Sequence, residues 1–80
     1  MTYRDFKQHS VRQQIYLIHQ RAHFLTITKA GDLVTRLYAL DKFYVEYQYD
    51  IVSLEVYINA FEDTNKLAGY LDEVILPTLI

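Results

Sequence analysis

The stretch that decides the fold runs from residue 33 to residue 61 and reads LVTRLYALDKFYVEYQYDIVSLEVYINAF. Apolar and polar side chains alternate along it with a period of two; Phe43 and Val45, for example, alternate with Tyr44 and Glu46. Such alternation is typical of antiparallel strands that have one covered face. We therefore predict three consecutive strands here, joined by short connections.

The spacing of the inward residues suggests how these strands pair. A three-residue loop, Leu40 to Lys42, would pair Leu37 with Val45 and set Arg36 opposite Glu46 on the outer face. A four-residue loop over residues 50–53 would then pair Val45 with Ile58. Both pairings are predictions of register from sequence alone.

On either side of this stretch, the sequence predicts further elements: one more strand and two helices. An apolar stripe of helical period predicts a helix over about residues 3–21, with Thr2 as its N-cap. Residues 23–29 alternate like a strand, although the helical stripe could instead continue to Gly31; we favour the strand. Acidic residues before Thr64 and the stripe that contains Leu67 predict a short helix over about 64–74, which Pro77 would end.

These elements make an α+β fold in a single domain, residues 1–80. It comprises an N-terminal helix, a three- to four-stranded antiparallel β-meander and a short C-terminal helix, with the helices packed on one sheet face. The apolar tail, residues 75–80, should dock on the core or on a second chain. The predicted core consists of Ile15, Ile18, Leu25, Ile27, Leu37, Phe43, Val45, Leu54, Val56, Ile58, Leu67, Leu71 and Val74.

The composition of the chain disfavours several classes of function. The chain has 80 residues, a net charge of −2 and no Cys, which disfavours a dedicated nucleic-acid binder and excludes thiolate chemistry. It contains no apolar run of the length that spans a bilayer and no hydrophobic leader, so we expect a cytoplasmic protein that binds neither membrane nor nucleic acid. Residues 1–36 hold six basic and two acidic residues (+4), whereas residues 37–80 hold two basic and eight acidic ones (−6). This asymmetry fits either two solvated faces or complementary docking between copies.

Three segments together resemble a group of small bacterial α+β proteins to which no activity is assigned. They are residues 37–46, the pair Tyr49-Asp50, and residues 60–71 with their Ala60-Phe61 and Tyr70-Leu71 pairs. The resemblance covers about residues 33–74 and implies the same helix, meander and short-helix architecture. It implies no catalytic residue, and this chain lacks the glycine expected in the turn at Asp41-Lys42.

No constellation of residues points to catalysis, a cofactor or a metal. His19 and His23 have the i, i+4 spacing that a metal on one helix face uses, but no third ligand is near in sequence. Ser10 adjoins His9, yet neighbours on a helix point about 100° apart. We therefore predict a protein that is not an enzyme, with no catalytic, cofactor-binding or metal-binding residues.

The aromatic residues suggest interaction instead. Tyr38, Tyr44, Tyr57 and Phe61 are predicted to form an outward patch on the sheet, and we predict that the protein self-associates through it, or through the sheet edge with the C-terminal tail, as a homodimer. The alternative is a small-ligand pocket between helix and sheet, lined by Tyr47, Tyr49 and Tyr70. A third hypothesis is that the basic first helix binds a regulatory partner.

Overall fold

The computed structural model describes residues 1–70 and confirms the predicted α+β fold class. Two helices come first, α1 (Tyr3–Gln8) and α2 (Val11–Arg21). Four strands follow: β1 (His23–Ala30), β2 (Leu33–Leu40), β3 (Phe43–Asp50) and β4 (Val56–Phe61). They form one antiparallel sheet in the order β1-β2-β3-β4. A 3-10 turn, Thr64–Lys66, leads into a helical turn over residues 67–70. The preference for a strand over residues 23–29 is confirmed.

The single N-terminal helix predicted over residues 3–21 is wrong, because the chain breaks at His9 and Ser10. His9 is extended (φ −80°, ψ 154°), and the Ser10 hydroxyl accepts a hydrogen bond from the Gln13 backbone N–H at 3.2 Å. Serine competes with the backbone for hydrogen bonds inside a helix and is favoured at an N-cap. The Gln14 side chain donates to the Phe6 carbonyl at 3.0 Å, which ties the end of α1 to α2.

The connection between β2 and β3 is one residue shorter than predicted, and this changes the face of every β2 side chain relative to β3. Leu40 pairs with Phe43 across a two-residue turn in which Asp41 takes φ +53°. Aspartate tolerates this left-handed conformation better than most residues do. Tyr38 therefore lies opposite Val45, and the predicted pairing of Leu37 with Val45 is wrong.

The connection between β3 and β4 is longer than predicted. Tyr49 pairs with Val56, so that Tyr47, and not Val45, lies opposite Ile58. The five residues 51–55 connect the two strands, and Leu54 among them takes φ +64°. The predicted loop over residues 50–53, which would start the strand at Leu54, is therefore wrong, because the Leu54 backbone N–H donates back to the Asp50 carbonyl at 2.8 Å and β4 begins only at Val56.

The main core lies between the two N-terminal helices and one end of the sheet. Phe6 from α1 and Ile18 from α2 pack with buried side chains of β2 and β3, namely Tyr38, Leu40, Phe43 and Val45. The Phe6 ring lies 5.5 Å from that of Phe43. We call this side of the sheet the helix face; its even-numbered β2 residues and odd-numbered β3 residues share one side because of the observed register.

Residues 64–70 lie against the other side of the sheet, which we call the opposite face. Lys66 and Tyr70 both contact Glu46, whose neighbour Val45 points to the helix face. The N-terminal helices thus occupy the predicted position, whereas the C-terminal helical turn does not share their face. The predicted helix end at residue 74, Pro77 and the apolar tail lie outside the described residues.

The predicted core is confirmed in its centre and wrong at its edges. Ile18, Leu37, Phe43 and Val45 are buried, and Ile15, Ile58 and Leu67 are half-buried. Four predicted core residues are exposed instead: Leu25 (48%), Ile27 (50%), Leu54 (79%) and Val56 (37%). The first two lie on the edge strand β1, Leu54 lies in the β3–β4 loop, and Val56 lies at the far end of the helix face. The predicted core residues Leu71 and Val74 lie outside the described residues. Sequence reasoning missed Phe6, Val34, Tyr38, Leu40 and Phe61, all of which are buried.

Candidate functional site

The outer edge of β1 is the first candidate site. β1 is the first strand of the sheet and pairs with β2 on one side. Its register shifts at Leu25 between the pairs Phe24–Tyr38 and Thr26–Leu37, which makes a bulge. Phe24, Leu25 and Ile27 are each about half exposed. An eight-residue edge strand with three such side chains is a template for pairing with another chain.

A groove on the helix face is the second candidate site. It begins where α2 ends and has a volume of about 310 Å³. Arg36 lines it directly opposite Tyr47 in the sheet, and His19 of α2 and Leu54 of the β3–β4 loop line it as well. The Tyr47 and Tyr49 rings meet edge to face with their centroids 6.3 Å apart. The groove therefore combines a cation with aromatic walls.

Arg36 is exposed and has tyrosines as its near neighbours. The Tyr38 hydroxyl raises the pKa of the Arg36 guanidinium above its usual value, and Tyr49 adds to this effect. The predicted pairing of Arg36 with Glu46 is wrong, because Glu46 lies opposite Leu37 and points to the other side of the sheet. Among the described residues that line the groove, none is Asp or Glu.

The two acidic residues closest to the groove along the chain are held elsewhere. The Asp50 carboxylate accepts hydrogen bonds from the backbone N–H groups of Val52 and Ser53, at 2.8 and 2.9 Å. The Glu55 carboxylate accepts a hydrogen bond from the Tyr57 hydroxyl, which raises the pKa of Tyr57. Both carboxylates thus serve the loop and the opposite face and leave the positive charge of Arg36 in the groove.

The anchoring of this loop by Asp50 should depend on pH. The backbone N–H groups of Ser53 and Val52 hold the pKa of Asp50 below its usual value. The contribution of Asp50 to stability is therefore complete above its unfolded pKa and is lost as pH falls through its lower folded pKa. We expect thermal unfolding from about pH 6 down to pH 2 to show a shallower loss of stability in Asp50→Asn than in the wild type. Parallel pH curves for the two proteins would contradict this role.

The four residues of the predicted interface do not form one outward patch. Tyr38 lies in the core on the helix face and is 8% exposed. Tyr44 and Phe61 lie on the opposite face, stacked with centroids 5.6 Å apart, and Phe61 is buried. Only Tyr57 is well exposed, at 47%. The one-residue difference in register places Tyr38 on the helix face and not on the outer surface. Tyr44 and Phe61 stack on each other, which leaves less of their ring surface for a partner.

The three residues of the predicted pocket are also divided. Tyr47 and Tyr49 line the groove on the helix face, as the pocket hypothesis expected. Tyr70 lies on the opposite face, where its hydroxyl donates a hydrogen bond to Glu46. The pocket as predicted is therefore wrong in one of its three residues, and Arg36, His19 and Leu54 were missed.

Glu46 organises the contacts on the opposite face. One oxygen of its half-buried carboxylate accepts a hydrogen bond from the Asn59 amide at 2.9 Å and lies 3.8 Å from the Lys66 ammonium. The other oxygen accepts the Tyr70 hydroxyl. The Lys66 ammonium also lies 4.7 Å from the centre of the Phe61 ring. These contacts place residues 64–70 on the sheet and explain Glu46 as a structural residue.

The histidines do not share a helix face. His19 lies on α2, but the extended residue Ala22 separates it from His23, which begins β1. In residues 1–70, no three His, Asp or Glu side chains are grouped so that they could hold a metal ion. Over the same residues, every helix is too short or too polar to cross a membrane.

Comparison with known proteins gives no relative. No protein-family model matches the chain, and neither a curated protein nor a solved structure matches it. The resemblance of residues 33–74 to small bacterial α+β proteins therefore stays a prediction.

Proposed function

We propose that this protein is a non-enzymatic interaction domain that self-associates through the outer edge of β1, most simply as a two-fold homodimer. The observation that carries the proposal is an exposed edge strand with three half-exposed apolar side chains, Phe24, Leu25 and Ile27. Edge strands are usually protected by charged residues, by proline or by a β-bulge, and β1 has a bulge only near its start, at Leu25. From Phe24 to Ala30 this strand has one charged residue, Lys29.

Pairing of two β1 strands removes apolar surface from water and satisfies the backbone groups of both edges. Covering part of the exposed surface of a Phe, Leu or Ile side chain along the edge contributes up to about 1 kcal/mol. A dimer has six such side chains, and the backbone hydrogen bonds between the strands add specificity of register. A small domain with a limited core gains stability from such pairing.

The charges on β1 are compatible with an antiparallel pair. A two-fold axis at Ile27, the midpoint of residues 24–30, would place the Ile27 side chains of two copies opposite each other. The two Lys29 residues would then be four positions apart along the strands, or about 14 Å. This separation exceeds the Debye length of about 8 Å at physiological salt, so their repulsion is largely screened.

The opposite face is the weaker candidate surface for self-association. Of the aromatic residues first expected there, Tyr38 is in the core and Phe61 is buried. We therefore place the interface at the edge and not at the predicted aromatic patch. We also propose that the protein acts in the cytoplasm, in keeping with a sequence that has no Cys.

The substitution Ile27→Lys tests the proposal. Sedimentation at high micromolar concentration should show a dimer for the wild type and a monomer for Ile27→Lys, because each new ammonium group would face its symmetry mate across the edge. Val52→Lys is the matched control, since Val52 is 73% exposed and lies in the β3–β4 loop. It should dimerise like the wild type, and circular dichroism should show the same fold for all three proteins.

Two results would overturn the edge interface. One is a wild-type protein that stays monomeric at high micromolar concentration. The other is a dimer that survives Ile27→Lys but dissociates in Tyr57→Ser, which would assign the interface to the opposite face.

A further inference from the structure

We infer that the groove around Arg36 is a binding site for a small planar aromatic anion, one ring system that carries a carboxylate. This inference goes beyond self-association and does not depend on it, because pairing along the β1 edge leaves the faces of the sheet open.

The size and walls of the groove fit a small aromatic molecule. Its volume of about 310 Å³ is at the lower end of the range for small-ligand pockets, about 300–1,000 Å³. Leu54 and Val56 line one side, and the edge-to-face rings of Tyr47 and Tyr49 line another. Aromatic rings pair favourably in stacked or edge-to-face arrangements, so these tyrosines offer a second ring a defined position.

The charge of the groove selects an anion. Arg36 supplies the formal positive charge among the residues that line it, and the carboxylates of Asp50 and Glu55 are engaged outside it. A guanidinium group presents two parallel N–H donors that match a carboxylate. Tyr38 and Tyr49 line the groove together with Arg36.

The groove is open because it lies beside the part of the helix face that the helices cover. The helices cover the end of the helix face that holds Leu40, Phe43 and Val45. Beyond His19 the face continues over Arg36 and Tyr49 without a helix above it among the described residues. A ligand in the groove would extend the covered layer toward Leu54, which is 79% exposed.

The test is a titration with 2-naphthoate, followed by the backbone amide shifts of the labelled full chain. We expect saturable binding in the low millimolar range or tighter, with the largest shifts at Arg36, Tyr47 and Tyr49. The neutral isostere 2-naphthamide and the ringless anion acetate should each bind at least about 10-fold more weakly, because each lacks one of the two recognised features.

Variants separate recognition from general attraction. Arg36→Gln should weaken naphthoate binding about 10-fold or more. Arg12→Gln removes an exposed charge from α2 outside the groove and should bind like the wild type. Equal affinity for naphthoate and naphthamide, equal affinity in Arg36→Gln and the wild type, or shifts centred away from the groove would each overturn the inference. If the amide spectrum of Arg36→Gln is that of a folded protein, weaker naphthoate binding by this variant cannot be due to unfolding.

Discussion

Replacing Phe6 with alanine is expected to lower the free energy of unfolding by about 3–5 kcal/mol. Phe6 is fully buried, and its ring joins α1 to Phe43 of β3. The substitution would leave a cavity at the place where both helices meet the sheet, since the Phe6 side chain belongs to the same buried cluster as Ile18 of α2 and Val45 of β3. For an 80-residue domain, a total stability of about 4–12 kcal/mol is ordinary, so this loss is a large fraction of it.

Urea unfolding followed by circular dichroism measures this effect. Tyr16→Ala is the matched control, because it truncates an aromatic side chain of α2 that is 62% exposed. It should change the stability by less than about 1 kcal/mol. If Phe6→Ala were as mild as this control, α1 would not be part of the core.

Replacing Val45 with aspartate is expected to prevent folding at 25 °C. Val45 is fully buried on the helix face, among Phe6, Ile18 and Leu40. An unpaired carboxylate in such surroundings costs several kcal/mol in addition to the lost apolar contacts, and together these losses approach or exceed the whole stability of the domain. Amide spectra should collapse to the narrow dispersion of an unfolded chain.

The same substitution on the opposite face is the control for this prediction. Tyr57 is 47% exposed on β4, so a carboxylate there stays in water. Tyr57→Asp should remain folded with a loss of about 1–2 kcal/mol. A folded Val45→Asp protein would show that the odd residues of β3 do not face the helices.

The strands could be predicted from the sequence, but their register could not. Alternation identifies which residues share a face within one strand and is silent about how two strands align. The alignment of β2 with β3 depends on the turn, and Asp41 takes a positive φ there without the glycine that usually signals a two-residue turn. One residue of difference moved Tyr38 from the outer surface to the core.

The sequence predicted the two candidate sites only in part, as a sheet edge and as the pair Tyr47 and Tyr49. Leu25 and Ile27 look like core residues because period-two alternation does not distinguish an edge strand from a central one. The sequence pattern predicts that Arg36 pairs with Glu46 on the outer surface. In the observed register Arg36 lies on the helix face, opposite Tyr47. Ser10 carried a usable signal, since serine is a preferred N-cap and marks the break that shortens the helical cover of the sheet.

Hydrogen exchange of the β1 amides, measured at two protein concentrations, tests self-association at the edge most directly. We predict that the outward-facing amides of His23–Ala30 become more protected as the concentration rises from low to high micromolar, while those of β4 do not change. Protection of β1 that is independent of concentration, together with a monomer by sedimentation, would contradict it.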